Sequence, residues 1–244
     1  MGRHNLGRHL LLRNHVMCGR YAMFGPISLS REAKAAADDM GIDLEGLLDQ
    51  REPLYNIAPT QKPPILVHSD EGYAIHGTRW GLIPSWAKDE KIGSKMINAR
   101  AETVAEKPAF RAAFKKRRCL VPASGYFEWQ REAGAKQPYF IRDPDDNLLM
   151  FAGLWEGWKR ADDADWLHTF TIITGEPGKV SGDIHDRQPA ILPVASWLDW
   201  LTGEVETAQQ ILAQAPEAPL TYYPVPKAVG SPRNKGPELV AAIE

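Results

Sequence analysis

What most constrains this chain is how often its apolar segments are cut short. Twenty glycines and nineteen prolines are spread through 244 residues, and from Cys18 onward they separate runs of aliphatic, β-branched and aromatic residues too brief for ordinary helices. Ile65 to His68, Tyr73 to Thr78, Cys119 to Val121, Tyr126 to Trp129, Tyr139 to Arg142, Leu148 to Trp155, Phe170 to Ile173 and Ala190 to Leu192 are predicted as strands. A doubly wound parallel sheet needs a regular helix between successive strands, and the pattern lacks them. The chain therefore reads as α+β, a single compact β-rich domain of mainly antiparallel strands with short peripheral helices. Ser30 is placed to cap a helix through Arg31 to Ala37 that stops at Gly41. Further helices are predicted over Pro108 to Lys116 and Glu204 to Gln214, a hairpin turn at Asp143 to Asn147, and a polar loop at Ala161 to Asp165.

Composition excludes several classes. Hydrophobic residues at 43% and charged residues at 25% are the balance of an ordinary globular protein. No apolar run approaches the roughly 20 residues of a membrane span, so no membrane partner is expected. A net charge of −2 rules out holding nucleic acid by a general positive field, so any such contact must be local. The basic run Lys115 to Arg118 reads as a solvated helix end. Cys18 and Cys119 offer neither metal-ligand spacing nor a disulfide framework, and a monomer without metal or cofactor, in a reducing cytoplasm, is expected. Cys119, within Cys119-Leu120-Val121, reads as a small buried hydrophobe.

Residues 1–17 stand apart. Arg3, Arg8, Arg13 and three histidines surround Leu10-Leu11-Leu12, with no acid. This is too short for a secretory signal, which leaves a transit-type leader or initiation at Met17. Residues 18–240 are then the folded domain.

Polar residues inside apolar segments carry the chemical information, because burying them unpaired costs several kcal/mol, about 2–7 for an amide or hydroxyl. Four places qualify: Cys18 to Tyr21, Ile97 to Glu102, Gly125 to Trp129, and Ile184 to Arg187. Each has an ordinary reading too. Glu128 can point to solvent from an alternating strand, His185 can belong to a simple turn, and Asn98 and Arg100 would share one face of any surface strand. Taken with a cysteine, they suggest nucleophilic chemistry by a thiol or amine, a histidine, a carboxylate and an amide.

In order along the chain, these motifs resemble the SOS-response-associated peptidase family, also described as abasic-site crosslinking proteins. The resemblance runs from Met17 nearly to the C-terminus. It rests on Met17-Cys18-Gly19-Arg20-Tyr21, Tyr55 to Thr60, Arg79 to Trp86, Asn98 to Thr103, Arg118 to Ala123 leading into Gly125 to Trp129, and His185 to Pro189. It implies a β-rich fold with one cleft for single-stranded DNA containing abasic sites, in the cytoplasm or, in a bacterium, at the nucleoid. It implies Cys18 as nucleophile and N-terminal residue, and Asn98, Glu128 and His185 as active-site polar groups. It also implies Arg20 and Arg100 facing phosphates, with Trp80, Trp86, Asn56, Pro59 and Thr60 shaping the DNA path. Tyr126-Phe127 reverses the family's common aromatic order, and Gln188 stands where methionine is usual.

The implied chemistry explains the residue types. An α-amine, with a pKa of roughly 8, attacks an aldehyde at neutral pH better than a lysine at roughly 10. An N-terminal cysteine can then close a thiazolidine through its sulfur, whereas an internal one cannot. Glu128 would shuttle protons, His185 would assist sugar ring opening or reversal, Asn98 would orient the amine or sugar, and the arginines would grip phosphates. The resemblance leaves open whether a lyase or autopeptidase activity accompanies capture. The alternatives are a thiol peptidase acting on its own leader through Cys18, His185 and Glu128, and a non-covalent reader of single-stranded DNA.

Overall fold

The structure, a computed structural model, describes residues 18–132, 135–161 and 164–243. The predicted leader lies outside the described residues, as does the middle of the predicted loop at 161–165. The first strands are β1 (Tyr21–Met23), β2 (Leu54–Ile57), β3 (Pro64–Ser69), β4 (Gly72–Gly77), β5 (Arg79–Trp80) and β6 (Asn98–Arg100). They are followed by β7 (Arg118–Ala123), β8 (Gly125–Glu132), β9 (Ala135–Arg142), β10 (Leu149–Trp158), β11 (Leu167–Gly175), β12 (Gln188–Pro189) and β13 (Thr221–Pro224). Short helices α1 (Arg31–Asp39), α2 (Leu44–Asp49), α3 (Arg111–Lys116), α4 (Lys179–Gly182), α5 (Trp197–Thr202) and α6 (Val205–Gln214) lie between them.

Two sheets form. One has the order β13-β9-β8-β1-β2, and the other β12-β11-β10-β7-β3-β4. Pairing is antiparallel along both paths, as the absence of crossover helices requires. The exceptions are β5 and β6, which pair in parallel with successive stretches of β11. One continuous core joins the sheets, with Tyr21, Tyr126 and Ile141 from the first beside Leu66, Phe151 and Phe170 from the second. The opposite face of the first sheet is covered as well, where Ala22, Phe127 and Phe140 pack under Val225, Val229 and Leu239.

Local signals place several elements as expected. Ser30 Oγ accepts the Ala33 amide at 3.2 Å to start α1, and Gly41 follows in the left-handed region at φ +67°. The segment 190–192 differs from expectation: Ala190 and Leu192 donate to the Ile173 and Met150 carbonyls, but prolines 189 and 193 on either side have no amide to extend a ladder, and only an isolated bridge between Ile191 and Phe151 forms. Residues 108–110 form turns before α3, whose first residue has no side-chain cap. The basic run also divides. Lys115 and Lys116 are exposed and Arg117 pairs with Glu156 at 2.7 Å, but Arg118 is buried and donates to the carbonyls of Phe114, Trp200 and Gly203.

Candidate active site

Strand alternation builds the centre of the site. Along β8, Tyr126, Glu128 and Gln130 share one face, while Phe127 and Trp129 share the other. Both faces are covered, so Glu128 does not reach solvent as an ordinary alternating position would, and only 3% of it is exposed. Its carboxylate Oε1 accepts the backbone nitrogen of Cys18 at 2.7 Å. That bond spans 110 residues of sequence and joins the segment entering β1 to its neighbour β8.

Cys18 is fully buried in the full chain and holds a positive φ of 39°, a strained backbone for a residue with a side chain. Burial pushes its thiol well above the usual cysteine range, and the charge of Glu128 adds to the effect. Burial likewise moves the Glu128 carboxyl from 4.5 to about 8. The Cys18 and Trp129 backbone hydrogen bonds pull it down, and nearby Asp186 pushes it further up.

His185 lies at the end of a turn that α4 begins. Its amide donates to the Ser181 carbonyl at 2.8 Å, and its Nδ1 lies 3.0 Å from Asp186 and accepts the Arg187 amide at 3.2 Å. The Arg187 guanidinium forks onto Glu102 and reaches the Thr174 carbonyl at the end of β11.

Asn98 opens β6, opposite Ile172 of β11. Its side-chain Oδ1 and Nδ2 are both shut off from solvent and have no hydrogen-bond partner among the described residues. A buried amide in that state costs about 1–3 kcal/mol. A chain of contacts ties it to the cysteine segment: Trp80 Nε1 donates to the Ile97 carbonyl at 2.8 Å, and the Trp80 ring meets Tyr21 edge-on at 5.3 Å.

The residues expected to meet DNA separate into two groups. Arg100 and Thr60 are exposed, Pro59 is half-buried, and Trp86 is 60% exposed. Their segments adjoin one edge of β11: Arg100 pairs with it through β6, and the Thr60 amide donates to the carbonyl of Trp80 in β5. The second group is engaged within the fold. Trp80 is wholly buried and has no face to offer a base. Asn56 is buried and donates to the carbonyls of Val229, Ser231 and Asn234. Arg20 spends its guanidinium on Asn56 Oδ1 at 2.9 Å and on the Val229 and Gly230 carbonyls at 2.7 and 3.0 Å. Arg20 and Asn56 thus clamp the C-terminal segment, because those carbonyls lack ladder partners and must be satisfied.

Tyr126 lies near Cys18 and Glu128 and bonds Ser181, and neither residue was assigned a site role from sequence. Their hydroxyls meet at 2.6 Å, both buried. The shared alternation of residues 126, 128 and 130 was the available signal for Tyr126. Nothing in the local sequence marks Ser181. Among the described residues no group of three or more His, Cys, Asp or Glu is placed to hold a metal, and no helix is long and apolar enough to cross a membrane.

Comparison with known proteins adds context to this geometry. A family model described as SOS response associated peptidase matches residues 17–232. The abasic site processing protein YoqW of Bacillus subtilis is 39% identical over 228 residues, covering 92% of this chain and 99% of that protein. The abasic site processing protein HMCES of Xenopus tropicalis is 34% identical, covering 93% of this chain and 78% of its own length. Among solved structures, a Bacteroides thetaiotaomicron protein superposes with a TM-score of 0.74 at 28% identity, covering 93% of this chain and all of that one.

Proposed function

The chain belongs to the SOS response associated peptidase family, and from that premise we propose that it processes abasic sites in single-stranded DNA by trapping them covalently on Cys18. The observation that carries this reading is the 2.7 Å contact between the Cys18 nitrogen and the buried Glu128 carboxylate. With residues 1–17 attached, that nitrogen is an amide and cannot react. Once Cys18 is the first residue, the same position holds an α-ammonium ion facing a carboxylate.

Proton transfers then follow from the arrangement. Glu128 takes a proton from the ammonium, and the free amine attacks the aldehyde carbon of the ring-opened sugar to give a carbinolamine. Glu128 returns the proton to the departing hydroxyl, which leaves as water, and an iminium remains. The Cys18 sulfur adds to that carbon and its proton passes to Glu128, closing a five-membered thiazolidine. His185 assists sugar ring opening, and the unpaired amide of Asn98 orients the sugar or amine. Arg100 grips a phosphate as a forked donor, Trp86 offers a stacking surface, and Pro59 and Thr60 line the DNA path.

Burial raises the Cys18 thiol above its usual range, which disfavours the thiolate that a thiol peptidase uses as its nucleophile. The test uses protein whose first residue is verified as Cys18, incubated with a single-stranded abasic oligonucleotide. An adduct that survives denaturing electrophoresis is expected, and it should vanish when one residue is added before Cys18. Absence of the adduct from the verified protein overturns the proposal.

A further inference from the structure

The strand that carries Glu128 also holds the turn that carries His185. On one side of Glu128, the Tyr126 hydroxyl meets Ser181 Oγ at 2.6 Å. On the other side, Gln130 Nε2 donates to the Asp183 carbonyl at 2.7 Å. Both contacts come from the same face of β8, and both land within the five residues ending at His185. The Ser181 carbonyl in turn accepts the amides of Ile184 and His185 at 3.0 and 2.8 Å. Asp186 lies close enough to raise the Glu128 carboxyl electrostatically, so the fastened turn sits against the site.

The two contacts are unequal. Asp183 is exposed, and water can replace Gln130 there. Tyr126 is fully buried and Ser181 is 1% exposed, so each is the other's available partner. Because Tyr126 precedes Phe127 in this chain, its hydroxyl falls on the Glu128 face of β8. At position 127 it would instead lie against the C-terminal segment, where Phe127 packs under Val225 and Val229.

We propose that Tyr126, through its buried hydrogen bond to Ser181, is a positioning residue that fixes the His185 turn relative to Glu128. A carboxyl and an imidazole that share the proton transfers of one reaction must keep one separation. Each comes from a different part of the chain, and a displacement of about 1 Å costs on the order of a hundredfold in rate. This inference rests on the reading that Glu128 and His185 serve abasic-site capture.

The test compares the parent, Tyr126→Phe, His185→Ala and the double variant, all starting at Cys18, with an abasic single-stranded oligonucleotide. Tyr126→Phe is expected to slow the maximal capture rate about tenfold while leaving the half-saturating DNA concentration unchanged. It should cost nothing further in the His185→Ala background. An unchanged rate, or effects that multiply independently, overturns the inference. Because Tyr126→Phe leaves Ser181 Oγ unpaired, Tyr126→Phe/Ser181→Ala serves as a second variant. It should recover thermal stability without recovering the rate, and recovery of both would reduce Tyr126 to a purely structural role. The His185 ring signals in NMR spectra of DNA-free protein give a readout independent of capture. They should move in Tyr126→Phe, and unmoved signals overturn the inference. Signals that move in a protein whose parent forms no adduct overturn the proposed function instead.

Discussion

Burial carries the Glu128 carboxyl from an ordinary 4.5 to about 8 while Cys18 remains internal, and folding stability must follow pH accordingly. Below about pH 4 the carboxyl is protonated in both the folded and unfolded states. Between 4.5 and about 8 the unfolded chain has released its proton and the folded chain has kept it, so stability falls as pH rises through that window and levels off above it. Glu128→Gln removes this titration. The full-chain variant should melt higher than the parent by a margin that grows from pH 5 to pH 8, and a margin flat across that range would refute the assignment. In protein starting at Cys18 the facing ammonium holds the carboxyl lower, and the same window should narrow. Asn98 poses a related case, since its unpaired amide is a cost in the DNA-free protein. Asn98→Ala is expected to shift thermal stability by no more than about 1 kcal/mol in either direction while slowing capture roughly a hundredfold. A large loss of stability would show that the amide is satisfied in the fold.

At the scale of elements, the loop leading to Trp86 depends on a close backbone approach as well as on the Thr169 and Trp158 side chains that bond its backbone. Gly81 has φ +117°, and a Cβ there would lie 2.7 Å from the Gly93 carbonyl oxygen. The two glycines pass so closely that neither tolerates a methyl group. Gly81→Ala should cost about 2–4 kcal/mol in urea unfolding and weaken DNA binding through the displaced 84–86 segment. A variant as stable as the parent would contradict this backbone contact. Strand β8 shows what sequence patterns can reveal locally. Its alternation was legible, but whether Glu128 faced solvent was not, since that depends on β10 and β11 on one side and residues 225–239 on the other. The helix around residues 111–116 was legible from its apolar spacing. Strand β6 was legible only as a shared face of Asn98 and Arg100, because three residues carry too short a pattern to declare a strand without its partner.

Across the whole molecule, net charge is −2, and the arginine expected to support Arg100 at the DNA is committed to the C-terminal segment. Non-covalent binding of single strands should therefore depend weakly on salt. With about two phosphates neutralised, raising salt from roughly 50 to 200 mM should cost less than about tenfold in affinity, and Arg100→Ala should flatten the slope by about 0.7. A steep slope unaltered by that substitution would place the DNA elsewhere. The sequence alone determined the class of fold, because frequent glycine and proline breaks exclude crossover helices, and it determined the reactive types, because a cysteine, carboxylate, amide and imidazole inside apolar segments are costly unless used. Only the tertiary structure decided which of these residues are exposed and which are bonded within the fold. Arg20, Asn56 and Trp80 resemble Arg100, Thr60 and Trp86 in sequence, but they differ in whether distant carbonyls or core side chains have already claimed them. Local pattern records the chemistry of a side chain, whereas its availability is set by partners that can lie 110 residues away, as Glu128 does from Cys18.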